Sequence, residues 1–288
     1  MDSYSVLMSV YHKADAAAFD TALQSIEEQT VPSDDIVVVC DGPLTPALDA
    51  VLEKYDTLYP HTLHIVRLET NVGIGAAANI GLQHCKHNLV AKMDADDIAV
   101  PTRCERQLAR FEQCPELTVL GGYIAEFDTD PQCPSVLRTV PLTNEEIRAF
   151  AHRRQPFNNP SVMYRRDAVL HVGGYHDMRR SEDFDLYVRL LHAGYYCENL
   201  DEVLVNMRVD NDALSRRASV ATLKGVVDSR WRSYRMGYAS LLDVCICVCG
   251  ELLILICPAG LQRAIYRRFL RKRMDVASIR QQADVHTV

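Results

Sequence analysis

The first hundred residues alternate short apolar runs with helix-length amphipathic stretches, and this alternation limits the fold more than any other feature of the chain. Ser5 to Tyr11 is an apolar run with few breakers, which suits a buried strand. Phe19, Leu23 and Ile26 then recur at helical spacing, and Pro32-Ser33-Asp34 closes that helix before a second apolar run, Ile36 to Cys40. Thr45-Pro46 reads as an N-cap followed by the first helical residue, with Leu48, Val51, Leu52 and Tyr55 on the buried stripe. Leu63 to Leu68 is a third strand, Ala76 to Cys85 a helix, and Leu89 to Met93 a fourth strand. Such alternation predicts an α/β fold with a Rossmann-like, mostly parallel sheet flanked by helices on both faces. Ligands of these sheets gather at the carboxyl ends of the strands, where Tyr11, Asp41 and Asp94 fall despite their distance in sequence.

From Pro101 the pattern changes to a helix through Phe111, a strand near Thr118 to Phe127, and a Pro-containing loop from Asp130 to Pro141. Thr143-Asn144-Glu145-Glu146 has the spacing of a capping box. Ser161 to Tyr164 suits a strand, Gly173-Gly174 a turn, and Glu182 to His192 a helix burying Phe184, Val188 and Leu191. The expected division is residues 1–100 as a first half, 101–215 as a second half of the same domain, and 216–288 as a C-terminal helical extension. Leu241 to Cys257 is apolar, but Asp243, Gly250 and Glu251 interrupt it and it is shorter than a membrane span. Arg263 to Arg273 follows with six basic residues beside Ile265, Tyr266, Phe269 and Leu270. Two readings stay open for this tail: peripheral contact with an anionic membrane surface, or packing on the core or on a second copy in a homo-oligomer.

A hydrophobic fraction of 48% over 288 residues argues against disorder. A formal net charge of −7 gives no general attraction for polyanions, so nucleic acid is not an expected partner. Met1 to Tyr11 lacks the pattern of a secretory signal, so the expected location is cytoplasmic, with the inner face of the membrane as the alternative the tail allows. Ten cysteines without framework spacing read as small reduced hydrophobes.

Met93-Asp94-Ala95-Asp96-Asp97 sets three carboxylates within four positions directly after an apolar strand. Like charges this close repel unless a cation or hydrogen-bond donors offset them, and hard oxygen ligands suit Mg²⁺ or Mn²⁺. Such an ion would bridge to a diphosphate and stabilise charge on a departing group. Taken alone, the same residues also read as an acidic turn whose Asp96 or Asp97 caps a following helix.

The ordered set of motifs resembles family 2 glycosyltransferases. It comprises the Ser5 to Tyr11 strand, Val38-Val39-Cys40-Asp41-Gly42, Asn71-Val72-Gly73 with Asn79-Ile80-Gly81, and Met93 to Asp97. It continues through Pro160-Ser161-Val162-Met163, Gly173-Gly174-Tyr175 and Ser181-Glu182-Asp183, so it covers roughly residues 4 to 210. Within that family the chain looks most like bacterial enzymes of exopolysaccharide, capsule and O-antigen synthesis, including amylovoran-type transferases. The resemblance implies a GT-A fold and a nucleotide diphosphate sugar as donor, with a UDP-sugar favoured. The acceptor it implies is a hydroxyl of a glycan or lipid-linked saccharide. It implies that Asp41 reads the nucleotide base in a pocket lined by Tyr11, and that Asn79, Asp94 and Asp96 contact the donor. Asp94 and Asp96 match the DxD motif that holds Mn²⁺ or Mg²⁺, with Asp96 the preferred direct ligand. Glu182-Asp183 matches the ED motif, whose Asp is the general base of inverting members. Direct displacement does need a carboxylate to take the acceptor proton, although an acidic first helical turn is also a purely structural device.

The chain departs from the family pattern at three places. Ala78 precedes Asn79 where many members have Arg; Asn159 stands before Pro160 where relatives often carry His; and Ser229-Arg230-Trp231 lacks the QxxRW signature of processive synthases, which favours single sugar addition. Arg179 and Arg180 read equally as phosphate contacts or as a solvated pair. Two other activities share parts of the pattern. Gly73-Ile74-Gly75-Ala76-Ala77-Ala78 resembles a dinucleotide fingerprint, but Glu69-Thr70-Asn71 separates it from its strand. A sugar nucleotidyltransferase would need an early Gly-rich loop, and Ser9-Val10-Tyr11-His12-Lys13 has no Gly. A silent nucleotide-sugar-binding scaffold would carry the same donor motifs without turnover.

Overall fold

The structure, a computed structural model, describes residues 3–178, 180–209 and 219–257. Strands β1 (Tyr4–Val10), β2 (Ile36–Cys40), β3 (Leu63–Arg67) and β4 (Leu89–Asp94) lie parallel in the order β3-β2-β1-β4. The connecting helices are α1 (Ala16–Glu27), α2 (Pro46–Leu58) and α3 (Ile74–His84). Period-two alternation divides each strand between two cores. Val6, Met8 and Val10 of β1 pack with Phe19, Leu23 and Ile26 of α1 and with Leu48 and Leu52 of α2. Leu7, Val37 and Val39 face the other way, onto Ala77 and Leu82 of α3. Each such aliphatic or aromatic side chain contributes about 1.5–3 kcal/mol by leaving water. Local chemistry starts the helices where expected: the Asp15 carboxylate accepts from the Ala18 N–H, and Thr45 caps α2 with Pro46 just inside.

The sheet continues through β5 (Ile98–Ala99), β6 (Leu117–Phe127), β7 (Val136–Arg138), β8 (Met163–Arg165) and β9 (Tyr196–Arg208). Its order is β4-β8-β6-β9-β5, with β7 alongside β6. Short β8 runs antiparallel to both β4 and β6, so one sheet and shared cores join the two halves. Helix α4 (Arg103–Gln113) covers the α1 face through Cys104, Leu108 and Phe111. Helices α5 (Asn144–Ala151), α6 (Arg166–His171) and α7 (Glu182–His192) cover the α3 face.

Three details differ from the sequence expectation. The segment expected as a loop from Asp130 to Pro141 contains β7, which pairs Leu137 with Ala125 of β6. The segment expected as a strand from Ser161 opens instead with a 3-10 turn, Asn159–Ser161, and pairs only from Met163, because Pro160 cannot donate to a ladder. The acidic residues after β4 cap no helix: β5 intervenes, and α4 starts beyond Thr102 without a side-chain cap. The extension contains α8 (Val220–Arg235) and α9 (Leu241–Ile256), and no helix among the described residues is long and apolar enough to cross a membrane. The basic run Arg263 to Arg273 and Arg179 lie outside the described residues.

Candidate active site

The registers Val10↔Cys40 and Ser9↔Asp94 set the ends of β2, β1 and β4 side by side, so Asp41, Tyr11 and Asp94 share one rim. Tyr11 is exposed there, edge-on to the His12 ring. Asp41 is buried and fully engaged: its carboxylate accepts from the Asn71 side-chain amide at 2.9 Å and from the Val72 and Gly73 N–H groups at 2.7 and 3.1 Å. Gly42 adopts φ 88°, and a side chain there would meet the Asn71 nitrogen at 2.9 Å. Asp41-Gly42 thus locks the loop that leads into α3, which forms one wall of the rim.

The acidic turn divides by burial. Asp94 is half-buried, Asp96 exposed and Asp97 buried. Lys92, 1% exposed, lies two residues upstream on the same side of β4 and donates to Asp94 Oδ1 at 2.9 Å. Asp97 accepts from the Arg208 N–H at 3.0 Å and ties the end of β9 to the turn. Burial first, then the charges of Asp94 and Asp96, pushes its carboxyl well above the usual carboxylate range. Beneath the turn, buried Arg103 donates to the carbonyls of Lys92 and Val162, which fixes β4 against the 3-10 turn.

Facing this turn is the start of α7. Ser181 has φ 65°, the sole positive φ among described residues other than glycine, and its hydroxyl makes no cap. Such a conformation costs on the order of 1–2 kcal/mol for an L-residue, and strained residues of this kind concentrate at functional sites. It turns the chain abruptly into Glu182 and Asp183. The Asp183 carboxylate accepts from the Gln155 amide at 2.6 Å and from the Phe184 N–H at 2.7 Å. Burial raises its pKa, while those two donors oppose the rise. Glu182 is pushed up to about 7, by burial and then by Asp183, with Lys92 acting to lower it and Asp94 to raise it. These mutual effects mark Asp94, Lys92, Glu182 and Asp183 as one electrostatic cluster. The Cβ position of Gly75 lies 3.4 Å from Glu182 Cγ, so the first turn of α3 packs against Glu182.

The profile of the family described as Glycosyl transferase family 2 matches residues 5–176. The chain belongs to glycosyltransferase family 2. The amylovoran biosynthesis glycosyltransferase AmsE of Erwinia amylovora is 38% identical over 224 residues, 78% of this transferase and 83% of its own length. An Escherichia coli UDP-Gal:alpha-D-GlcNAc-diphosphoundecaprenol beta-1,3-galactosyltransferase is 30% identical over 269 residues, 93% of this chain and 97% of its own. Among solved structures, the mannosyltransferase PcManGT of Pyrobaculum calidifontis, in complex with GDP-Man and Mn2+, superposes with a TM-score of 0.64. That similarity spans 99% of this chain and 80% of the other at 17% identity. The transferase has the GT-A fold.

Of the residues singled out in the sequence, the structure gathers Tyr11, Asp41 and Asp94 along one rim and couples Asp94 to Glu182 and Asp183. Asn79 is engaged with the backbone of Tyr175. Its side-chain amide donates to the Tyr175 carbonyl at 2.7 Å and accepts from the Tyr175 N–H at 2.8 Å, which pins α3 to the Gly173-Gly174 turn. Sequence reasoning missed Lys92 and Gln155. A lysine inside an otherwise apolar strand, two residues from an aspartate, was a readable signal for the first. Nothing in the sequence marks Gln155, because its partner lies 28 residues away.

Proposed function

We propose that the transferase moves a single hexose from a UDP-sugar to a hydroxyl of a lipid-linked saccharide, with inversion, during assembly of a surface polysaccharide. The observation that carries this reading is that Asp94, at the end of β4 on the strand-end rim, lies close enough to Glu182 and Asp183 for their charges to act on one another. The activity for which the Escherichia coli relative is named supports UDP as the nucleotide and a diphospholipid saccharide as the acceptor. The amylovoran relative supports polysaccharide synthesis.

In this reading Tyr11 and the loop locked by Asp41 form the nucleotide pocket, and Asn79 acts indirectly, by holding α3 against Tyr175. A divalent ion fits the turn. Asp94 keeps Oδ2 clear of the Lys92 bond and Asp96 is exposed beside it; no group of three or more His, Cys, Asp or Glu side chains among the described residues is placed to hold an ion, so the remaining ligands would come from the donor. Two carboxylates completed by diphosphate oxygens are a usual Mg²⁺ or Mn²⁺ arrangement. The ion, when bound, offsets negative charge on the departing diphosphate. Asp183 takes the proton of the acceptor hydroxyl as its oxygen bonds to the anomeric carbon and the bond to the diphosphate breaks. Gln155 and the Phe184 N–H hold that carboxylate in place, and Glu182 adjusts the local charge. The same proposal seats the enzyme on the inner face of the cytoplasmic membrane, with α9 and the basic run that follows it toward the lipid.

Calorimetric titration with UDP and with GDP, in Mn²⁺ and in EDTA, tests the donor site. Binding of UDP over GDP in Mn²⁺ is expected, with loss in EDTA and in Asp96→Ala. Equal binding in EDTA, or an unaffected Asp96→Ala, would remove the metal from the proposal.

A further inference from the structure

Helices α8 and α9 lie beyond the family-matched segment, residues 5–176, and they contact Phe184, Arg153 and Arg180, which flank the groups that orient Asp183. We propose that Arg230 of α8 is a positioning residue for Asp183, and that α8 and α9 together clamp the two strands of chain that hold its carboxylate. The proposal rests on the reading of Asp183 as the base.

The geometry runs through two routes that end on opposite oxygens of Asp183. Arg230 is 8% exposed, and its guanidinium carbon lies 3.3 Å from the centroid of the Phe184 ring. Phe184 is the residue whose N–H donates to Asp183 Oδ1. Arg230 Nη2 also donates to the Arg153 carbonyl at 3.0 Å. Arg153 stands two residues before Gln155, whose amide donates to Asp183 Oδ2. One guanidinium therefore touches both segments that carry the donors of the carboxylate: it stacks on the ring of Phe184 and bonds the backbone two residues before Gln155. Burying an arginine this deeply carries a desolvation cost, and a planar guanidinium stacked on the Phe184 ring with Nη2 donating to the Arg153 carbonyl is a geometry that lysine does not reproduce.

Further contacts close the clamp. Gly225 of α8 lies so near the chain before Ser181 that a side chain there would meet Arg180 Cβ at 2.6 Å and the Arg180 carbonyl oxygen at 2.9 Å. Helix α8 thus backs the strained residue that aims Glu182 and Asp183. From α9, Asp243 pairs with Arg153 Nε at 2.5 Å, and Cys247 Sγ donates to the Arg153 carbonyl at 3.3 Å. The Ser240 hydroxyl, then Arg153, holds the Asp243 carboxyl down to about 2, so the pair stays ionised over the working range.

The test uses the full chain and five variants: Arg230→Met, Arg230→Lys, Gln155→Ala, Asp183→Asn and the double Arg230→Met/Gln155→Ala. Nucleotide release from UDP-galactose, UDP-N-acetylglucosamine and GDP-mannose is followed, together with calorimetric UDP binding and amide hydrogen exchange. Arg230→Met is expected to lower kcat at least tenfold while UDP affinity stays within about twofold, since misplacing a reacting group by about 1 Å costs up to 10²-fold. Arg230→Lys should recover only part of the loss. The double variant Arg230→Met/Gln155→Ala should cost little more than the worse single one, because both act on the same carboxylate. Exchange should rise in peptides covering 152–156 and 182–185 and stay unchanged at 70–76, which reads the clamp whatever donor is turned over. Wild-type kcat in Arg230→Met, or unchanged exchange at 182–185, overturns the proposal. If Arg230→Met fails to fold, Arg230→Lys carries the same comparison. A wild-type rate in Asp183→Asn instead sinks the base assignment, and the exchange data still decide the clamp.

Discussion

Glu182 illustrates how environment turns an ordinary carboxyl into a group that titrates near neutrality. Burial comes first and the neighbouring Asp183 second, and together they raise it to about 7. For an acid raised in this way, the folded state binds its proton more tightly than the unfolded chain does. Its stabilising contribution is complete below the unfolded value of about 4.5 and is lost as pH rises through about 7. Thermal melts of the wild type should therefore fall from pH 5 to pH 8, and Glu182→Gln should flatten that fall. Asp243, held down to about 2, changes charge outside this window and will not mask the effect. Parallel curves for the two proteins would show that Glu182 is not shifted. Lys92 belongs to the same cluster: its buried ammonium is what lets Asp94, Asp97 and Glu182 lie close together before any cation from solution joins them.

Two helix starts with similar sequences behave differently at the level of elements. Helix α5 begins with a complete capping box, in which the Thr143 hydroxyl accepts from the Glu146 N–H and the Glu146 carboxylate accepts from the Thr143 N–H. Helix α7 begins with three acidic residues in its first turn, favourable to the helix dipole, but Ser181 supplies no cap because its left-handed backbone directs the chain elsewhere. Thr143→Ala should cost about 1 kcal/mol in urea unfolding. Ser181→Ala should change stability by less than about 0.5 kcal/mol, since no hydrogen bond is lost. A large loss in Ser181→Ala would assign its hydroxyl a contact beyond those seen among the described residues. The capping box was legible in the sequence because its partners are three residues apart. The role of Ser181 was not, because its backbone angle is imposed by packing.

For the whole molecule, the outer surface of α9 is out of keeping with its position. Leu241, Leu242, Ile246, Leu252, Leu253 and Ile256 are exposed at 42% or more, and they recur at helical spacing. Exposed apolar stripes of this kind mark interaction surfaces, and six basic residues follow within Arg263 to Arg273. Under the membrane proposal, the chain should co-sediment with vesicles containing anionic lipid and be released by salt, and Leu242→Asp with Leu253→Asp should abolish the association. Sedimentation unaffected by those changes, with a loss of dimer instead, would assign the stripe to a second copy.

The sequence by itself determined the parallel half of the sheet, the order of its helices, and the rim at the strand ends, because periodicity, caps and turns are short-range physics that a chain displays in order. Its ordered motifs also carried the family. Tertiary structure alone decided which of these residues work together. Asp41 is spent on a loop 31 residues downstream and Asn79 on a backbone 96 residues away, while Gln155, Phe184 and Arg230 converge on Asp183 from three separate elements. The short strands β5 and β7 escaped sequence reading for the same reason. Their pairing depends on long-range neighbours across the sheet, and burial and charge coupling exist only once the chain has closed on itself.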